Sequence, residues 1–102
     1  MTNKDKFLNL LGLATKAGKL ISGDETTLKT VKKQQVRLVI VASDASEGTI
    51  KKFSDKCAYY ETPMMVACTK AELSYAIGKS RAILGVVDNG FARKMRELMK
   101  EE

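Results

Sequence analysis

The sequence predicts an α/β fold, a three-layer α/β/α sandwich, on the strength of three observations. Helical and strand-like patterns alternate along the chain. Residues 36–42 and 82–87 are apolar almost throughout, as in strands that are covered on both faces. No linker, repeat or low-complexity tract interrupts the 102 residues, a length typical of one domain. We therefore expect residues 1–102 to form a single domain with helices on both sides of a sheet.

The first helix is predicted over residues 4–17, because apolar residues recur at helical spacing from Phe7 to Ala14. Gly18 follows where a C-terminal cap is expected. Residues 19–22 then make a short strand.

The second helix is predicted over residues 23–34, with Leu28 and Val31 on its inner face. Ser22 and Glu25 have the spacing of a capping box, in which each side chain accepts from the other residue's backbone N–H.

The middle of the chain continues with the strand at 36–42 and a turn, after which a third helix is predicted over about residues 47–60. Its predicted inner face carries Ile50, Phe53, Cys57 and Tyr60.

The last third begins where Pro63 opens a strand at 64–67. Thr69 and Glu72 form a second capping box, which starts a helix that ends at Gly78. The final helix follows the strand at 82–87, and its predicted inner face carries Phe91, Met95, Leu98 and Met99.

The charge balance points to an anionic partner. The chain has a net charge of +6, which favours nucleic acid first and a membrane surface second. No apolar run approaches the roughly 18 residues of a membrane span, so we expect no membrane partner. A merely basic protein without such a partner remains an alternative at this point.

Residues and motifs typical of catalytic sites are scarce in this sequence. The chain has no histidine, no Cys-x-x-Cys, no P-loop and no Gly-x-Gly-x-x-Gly, so we expect no metal site, no cofactor and no enzyme activity. Cys57 and Cys68 do not suggest a disulfide framework, and we interpret them as reduced, buried thiols of a cytoplasmic protein.

The segment Ser22–Lys29 is the first candidate site. A glycine turn leads into a helix start with small polar side chains and a lysine one turn further on, a combination that suits phosphate and base edges. The purely structural alternative is a capped helix with a Glu25–Lys29 surface ion pair.

The second candidate site is the basic loop 78–81, for which an ordinary connection is the alternative. Further cations lie near the first candidate site in the sequence: Lys16, Lys19, Lys29, Lys32, Lys33 and Arg37. The cations of the last helix alternate with acids, so we interpret them as a solvated face. These are Arg93, Lys94, Arg96 and Lys100, with Glu97, Glu101 and Glu102.

The aromatic content indicates which nucleic acid is preferred. Phe7, Phe53 and Phe91 occupy core positions of the helical patterns, so few rings remain for stacking on single strands. No helix-turn-helix pattern is evident. A folded RNA, read by helix ends, loops and phosphate contacts, fits best.

Several motifs in a fixed order carry a resemblance to a known family. They are 10–14 (LLGLA), 18–23 (GKLISG), Lys29-x-Val31, 37–45 (RLVIVASDA), 70–73 (KAEL) with Gly78-Lys79, and 88–92 (DNGFA). Over nearly its whole length the chain resembles the small kink-turn RNA-binding ribosomal proteins, of the archaeal seven-A-e and eukaryotic thirty-e types, and in particular their bacterial YlxQ-type relatives. The resemblance implies a three-layer sandwich over a mixed four-stranded sheet and a non-catalytic role in binding structured RNA.

The family's RNA-reading signature, Gly-x-Asn-Glu-x-x-Lys, aligns without gaps on residues 23–29. Gly23 and Lys29 match it, whereas Glu25 and Thr26 stand at its asparagine and glutamate positions. A carboxylate only accepts hydrogen bonds, whereas an amide also donates, so the RNA preference is expected to differ. A register shifted by one residue would place Asp24-Glu25 on the Asn-Glu positions but would put Leu28 on the position of the lysine.

The resemblance also implies that the loop 79–82 is a second RNA contact, more basic here than in many relatives. The predicted RNA-binding residues are Lys19, Gly23, Asp24, Glu25, Thr26, Lys29, Lys32, Lys33, Arg37, Lys79, Ser80 and Arg81. The expected partner is a kink-turn or ribosomal RNA, bound by a protein that is monomeric when free. A protein–protein interaction adaptor on the same fold is the alternative function.

Overall fold

The computed structural model describes residues 1–100, so Glu101 and Glu102 lie outside the described residues. Helices and strands alternate along this range, as the sequence predicts. In chain order they are α1 (Asn3–Lys16), β1 (Leu20–Ser22), α2 (Asp24–Lys32), β2 (Leu38–Val41), α3 (Glu47–Tyr59), β3 (Met64–Val66), α4 (Lys70–Ile77), β4 (Ile83–Val86) and α5 (Asn89–Met99). Most predicted boundaries are correct to within one or two residues.

The four strands of residues 1–100 form one mixed sheet in the order β1-β4-β2-β3. Strand β4 runs antiparallel to both of its neighbours, and β2 and β3 are parallel. The ends of β1 and β2 therefore meet the start of β4 at one edge, which we call the Gly23 end of the sheet. The starts of β1 and β2 meet the end of β4 at the other, which we call the Arg37 end.

Both faces of the sheet are covered, which confirms the three-layer sandwich. Successive residues of a strand point to opposite faces. Leu38 and Ile40 accordingly pack into the cluster formed with α1, α4 and α5, and Val39 and Val41 pack into the cluster formed with α2 and α3. All residues of β2 and β4 are buried, as their apolar sequences predict.

Three local features differ from expectation. Ser22 does not cap α2, because it lies in β1 opposite Leu84, and Gly23 takes the N-cap position instead. Cys57 is buried as predicted, whereas Cys68 is only half-buried in a left-handed turn with φ of 64°. Phe91 is also only half-buried.

Candidate functional site

Gly23 connects β1 to α2 in a conformation that requires glycine. Its φ of 99° and ψ of 150° lie where L side chains are rarely found. Its N–H donates to the carbonyl of Ile83 in β4 (2.9 Å), and its own carbonyl accepts from the N–H of Thr27 (3.1 Å). The glycine thus bends the chain sharply at the sheet edge while it is bonded to both sheet and helix.

The start of α2 keeps its backbone donors open. The first N–H groups of a helix have no intrahelical acceptor, and Gly23 has no side chain that could supply one. Within residues 1–100 the N–H groups of Asp24, Glu25 and Thr26 donate to no protein acceptor. These groups and the positive end of the helix dipole offer an anion a place to bind.

The side chains around this helix start are exposed, and the lysine is free. Asp24, Glu25, Thr26 and Lys29 all face solvent. The Glu25–Lys29 ion pair that the sequence suggested as an alternative does not form, and Lys29 has no ionic partner within residues 1–100. Lys29 is therefore available to an anionic ligand.

Asp24 is engaged with the neighbouring helix. The Nζ of Lys52 in α3 lies 2.7 Å and 2.9 Å from its two carboxylate oxygens. The ion pair connects the start of α2 to α3 and neutralises the charge of Asp24, one of the two carboxylates at this helix start. Sequence reasoning missed Lys52, since it lies 28 residues from Asp24 and no local spacing connects the two.

The loop after α4 is held in place by Ser74. Gly78 ends the helix in the left-handed conformation. The backbone N–H of Arg81 donates to the Oγ of Ser74 (2.9 Å), and that hydroxyl donates to the carbonyl of Arg81 (3.1 Å). Lys79 and Ser80 remain exposed between these two anchors.

Arg81 joins the two candidate sites into one surface. Its Nη1 donates to the carbonyl of Ser80 (2.9 Å). Its Nε lies 3.7 Å from the point that a Cβ on Gly23 would occupy, so the guanidinium covers the glycine turn. The helix start at 23–29 and the loop 78–81 therefore form a continuous surface at the Gly23 end, although they lie about fifty residues apart in sequence.

The four remaining predicted residues lie elsewhere. The carbonyl of Lys19 accepts from the N–H of Val87, and the N–H of Arg37 donates to the carbonyl of Val86 (2.7 Å), so both residues sit at the Arg37 end. Lys32 and Lys33 end α2, roughly 12 Å along the helix axis from its start. The predicted set thus divides between the two ends of the sheet.

The capping box that starts α4 forms as predicted. Thr69 and Glu72 exchange hydrogen bonds, and the carboxylate of Asp44 accepts from the N–H of Lys70 (2.8 Å). The hydrogen bond from Lys4, followed by that from the backbone of Thr69, lowers the pKa of Glu72 below its ordinary value. These contacts anchor α4, whose far end carries the loop of Arg81.

The thiols do not offer a nucleophile. Burial raises the pKa of Cys57 to about 11 and also raises the pKa of Cys68. Both therefore stay protonated near neutral pH, and a protonated thiol is a poor nucleophile and a poor metal ligand. Within residues 1–100 no group of three or more His, Cys, Asp or Glu side chains is placed to hold a metal ion. None of the helices in that range is long and apolar enough to cross a membrane.

Comparison with known proteins gives consistent matches over almost the whole chain. The model of the family described as "Ribosomal protein L7Ae/L30e/S12e/Gadd45 family" matches residues 5–96. The "RNA-binding protein YlxQ" of Enterococcus faecium is 48% identical over 98 residues, which cover 96% of this chain and 95% of that protein. The protein of the same name from Bacillus subtilis (strain 168) is 41% identical over 95 residues, covering 92% and 95%.

Two solved structures are similar to this fold. A protein with unknown function from Bacillus halodurans C superposes with a TM-score of 0.90 at 46% identity, covering 93% of this chain and 97% of that one. The Giardia lamblia 15.5kD RNA binding protein superposes with a TM-score of 0.78 at 19% identity, covering 92% and 82%, and shows the likeness of fold alone.

Proposed function

From the chain's membership of the ribosomal protein L7Ae/L30e/S12e/Gadd45 family, we propose that it is a non-catalytic RNA-binding protein that recognises kink-turn or related folded RNA. The family match confirms the resemblance that the ordered motifs indicate. The relatives named YlxQ are called RNA-binding proteins, which supports a binding role for this chain and no enzymatic one.

The observation that carries the proposal is the position of Arg81 over Gly23. It makes one surface of the helix start and the loop 78–81, so an RNA that bends at this point contacts both. Open N–H groups and Lys29 supply donors on one side, and the loop supplies cations on the other. Phosphate contacts of the N–H groups and of the loop fix the position of the RNA, and the side chains of Glu25 and Thr26 are left to read base edges, with Lys29 placed to contact either a base or a phosphate.

Binding to a kink-turn duplex, measured by gel shift against the same duplex with its sheared G·A pairs disrupted, tests the proposal. We expect tighter binding to the intact kink-turn and an affinity that falls steeply as salt rises. Lys29→Ala should weaken binding to the intact form by about 1–3 kcal/mol if the lysine reads a base, or by less if it contacts phosphate alone.

Lys94→Ala is the matched control, because it removes one charge from another exposed helical lysine outside the proposed surface. Equal affinity for the intact and disrupted duplexes would reject kink-turn recognition. An effect of Lys29→Ala no larger than that of Lys94→Ala would remove Lys29 from the interface.

We also propose that the protein acts in the cytoplasm, as a monomer when free, on ribosomal or other structured RNA. The family name supports an association with ribosomal RNA. Crosslinking in cells followed by sequencing of the bound RNA would identify that partner. Recovery of partners that survive nuclease treatment, without enriched RNA, would instead favour a protein adaptor.

A further inference from the structure

A second basic surface lies at the Arg37 end of the sheet. A depression of about 420 Å³ opens there, and its lining includes Arg37, Arg93 and Arg96, together with Asn89 and Glu61. It lies at the opposite end of the sheet from Gly23, so it is separate from the surface described above.

The fold brings these three arginines together from distant parts of the chain. The N–H of Arg37 donates to the carbonyl of Val86, the last residue of β4, and α5 begins three residues later at Asn89. Arg93 and Arg96 lie four and seven residues after Asn89, so these two arginines share one face of α5 with Asn89. Pairing of β2 with β4 thus fixes Arg37 beside the first turns of α5.

The surface carries an excess of unpaired positive charge. It has three guanidinium groups and a single carboxylate, that of Glu61. Within residues 1–100 none of the three arginines takes part in an ion pair. Like charges that share a depression repel one another, and an anion placed among them removes that repulsion. Glu97 lies beside Arg93 and Arg96 in the lining of the adjoining depression, and the three arginines still outnumber the two carboxylates.

We propose that Arg37, Arg93 and Arg96 form a second RNA contact that holds backbone phosphates of a segment flanking the part bound at the Gly23 end. This proposal rests on the RNA-binding function proposed above. A guanidinium donates two parallel hydrogen bonds to a phosphate, so three of them suit successive phosphates of a strand. The three side chains are solvent-exposed, which fits an extended polyanion better than an enclosed small anion. Lys32 and Lys33 end α2 and add charge away from the Gly23 end.

The test compares Arg93→Ala/Arg96→Ala with the charge-matched control Lys6→Ala/Lys94→Ala. All four residues are exposed in helices, where alanine is well tolerated. Each protein is titrated with a minimal kink-turn duplex, with the same kink-turn whose stems are longer by one helical turn, and with G·A-disrupted forms of both, at several salt concentrations.

We expect the arginine variant to bind the long RNA about tenfold more weakly than the control does, with a slope of log K against log salt that is shallower by about 1.8 for two lost phosphate contacts on a duplex stem. On the minimal duplex the two variants should agree. Equal affinities and equal salt slopes for the two variants on the long RNA would overturn the proposal. An acidic protein later found at this surface would not restore it.

The G·A-disrupted forms separate this proposal from the proposed function. If no protein distinguishes intact from disrupted RNA, kink-turn recognition fails. A smaller salt slope for the arginine variant on long RNA would still support the second surface in that case.

Discussion

Gly23→Ala tests whether the glycine turn under Arg81 is required by its backbone conformation. A side chain at this position would meet only ordinary contacts, since the nearest atoms to the new Cβ are the Nε (3.7 Å) and Cδ (3.9 Å) of Arg81. Steric overlap therefore contributes little to the loss of stability, which is set by the backbone conformation of residue 23, with φ of 99° and ψ of 150°. Gly78→Ala is the matched control, because Gly78 has φ of 80° and ψ of 16° with nothing within 4 Å of a new Cβ.

The two glycines differ in the conformational strain that an L side chain would introduce. Gly23 lies close to a region that is almost exclusive to glycine, where strain reaches about 3 kcal/mol. The left-handed conformation of Gly78 costs roughly 1.5 kcal/mol, and non-glycine residues tolerate it elsewhere in this chain, at Gln34, Glu61 and Cys68. Alanine also restricts the unfolded chain, which offsets about 0.7 kcal/mol in each variant. The net losses are about 2 kcal/mol for Gly23→Ala and about 1 kcal/mol for Gly78→Ala.

Urea denaturation followed by circular dichroism measures both losses, and thermal unfolding should show the melting temperature of Gly23→Ala reduced by about 8–16 °C. RNA affinity, measured well below the transition, should also fall for Gly23→Ala, because the open N–H groups of α2 move with residue 23. A loss of unfolding free energy for Gly23→Ala that is no greater than the loss for Gly78→Ala would refute the reasoning.

Three further perturbations probe the same region and the core. Thr27→Val should raise the free energy of unfolding by about 1 kcal/mol, because the Thr27 Oγ1 is fully buried without a hydrogen-bond partner in residues 1–100. Thr27→Ser keeps the hydroxyl and should not raise it, and an unchanged urea midpoint for Thr27→Val would show that the hydroxyl has a hydrogen-bond partner. Glu25→Asn should tighten kink-turn binding by about threefold to tenfold in a gel shift, because it removes a carboxylate near phosphate and adds a donor, and weaker binding would contradict the assigned register. Burial raises the pKa of Cys57 from 9.0 to about 11, so the unfolded state loses the thiol proton first and the free energy of unfolding falls as pH rises between these values. Urea titrations at a series of pH values should show a shallower fall for Cys57→Ala, and the same dependence on pH in both proteins would argue against a buried thiol.

The elements of this fold could be predicted because their local patterns agree with their surroundings. The apolar run at 36–42 could only be a strand covered on both faces, and the Thr69–Glu72 capping box forms as its spacing indicates. The equivalent pattern at Ser22–Glu25 misled, since Ser22 is held in β1 opposite Leu84 and a glycine was free to take the cap position. Pairing between strands overrode a local preference there.

The residues of the candidate site could be proposed from the sequence, but the way the fold brings them together could not. Glycine and lysine at 23 and 29 follow from the motif, whereas the contact of Arg81 with Gly23 depends on the sheet order, which no local pattern contains. The same order carries Arg37 away from Gly23, although the two residues are only fourteen apart in sequence. Long-range ion pairs such as Asp24–Lys52 are invisible to spacing arguments for the same reason.

The two outer strands of the sheet limit how this protein can engage a partner. In residues 1–100 the edges are β1 and β3, and each is three residues long. An edge strand templates the addition of another strand through its row of free backbone groups, and three residues supply too short a row to do so. Strand addition from a peptide, or edge-to-edge pairing of two copies, is thereby disfavoured. The proposed recognition by side chains and by the amides of a helix start agrees with this, since such groups suit a ligand that presents phosphates and bases rather than a polypeptide backbone.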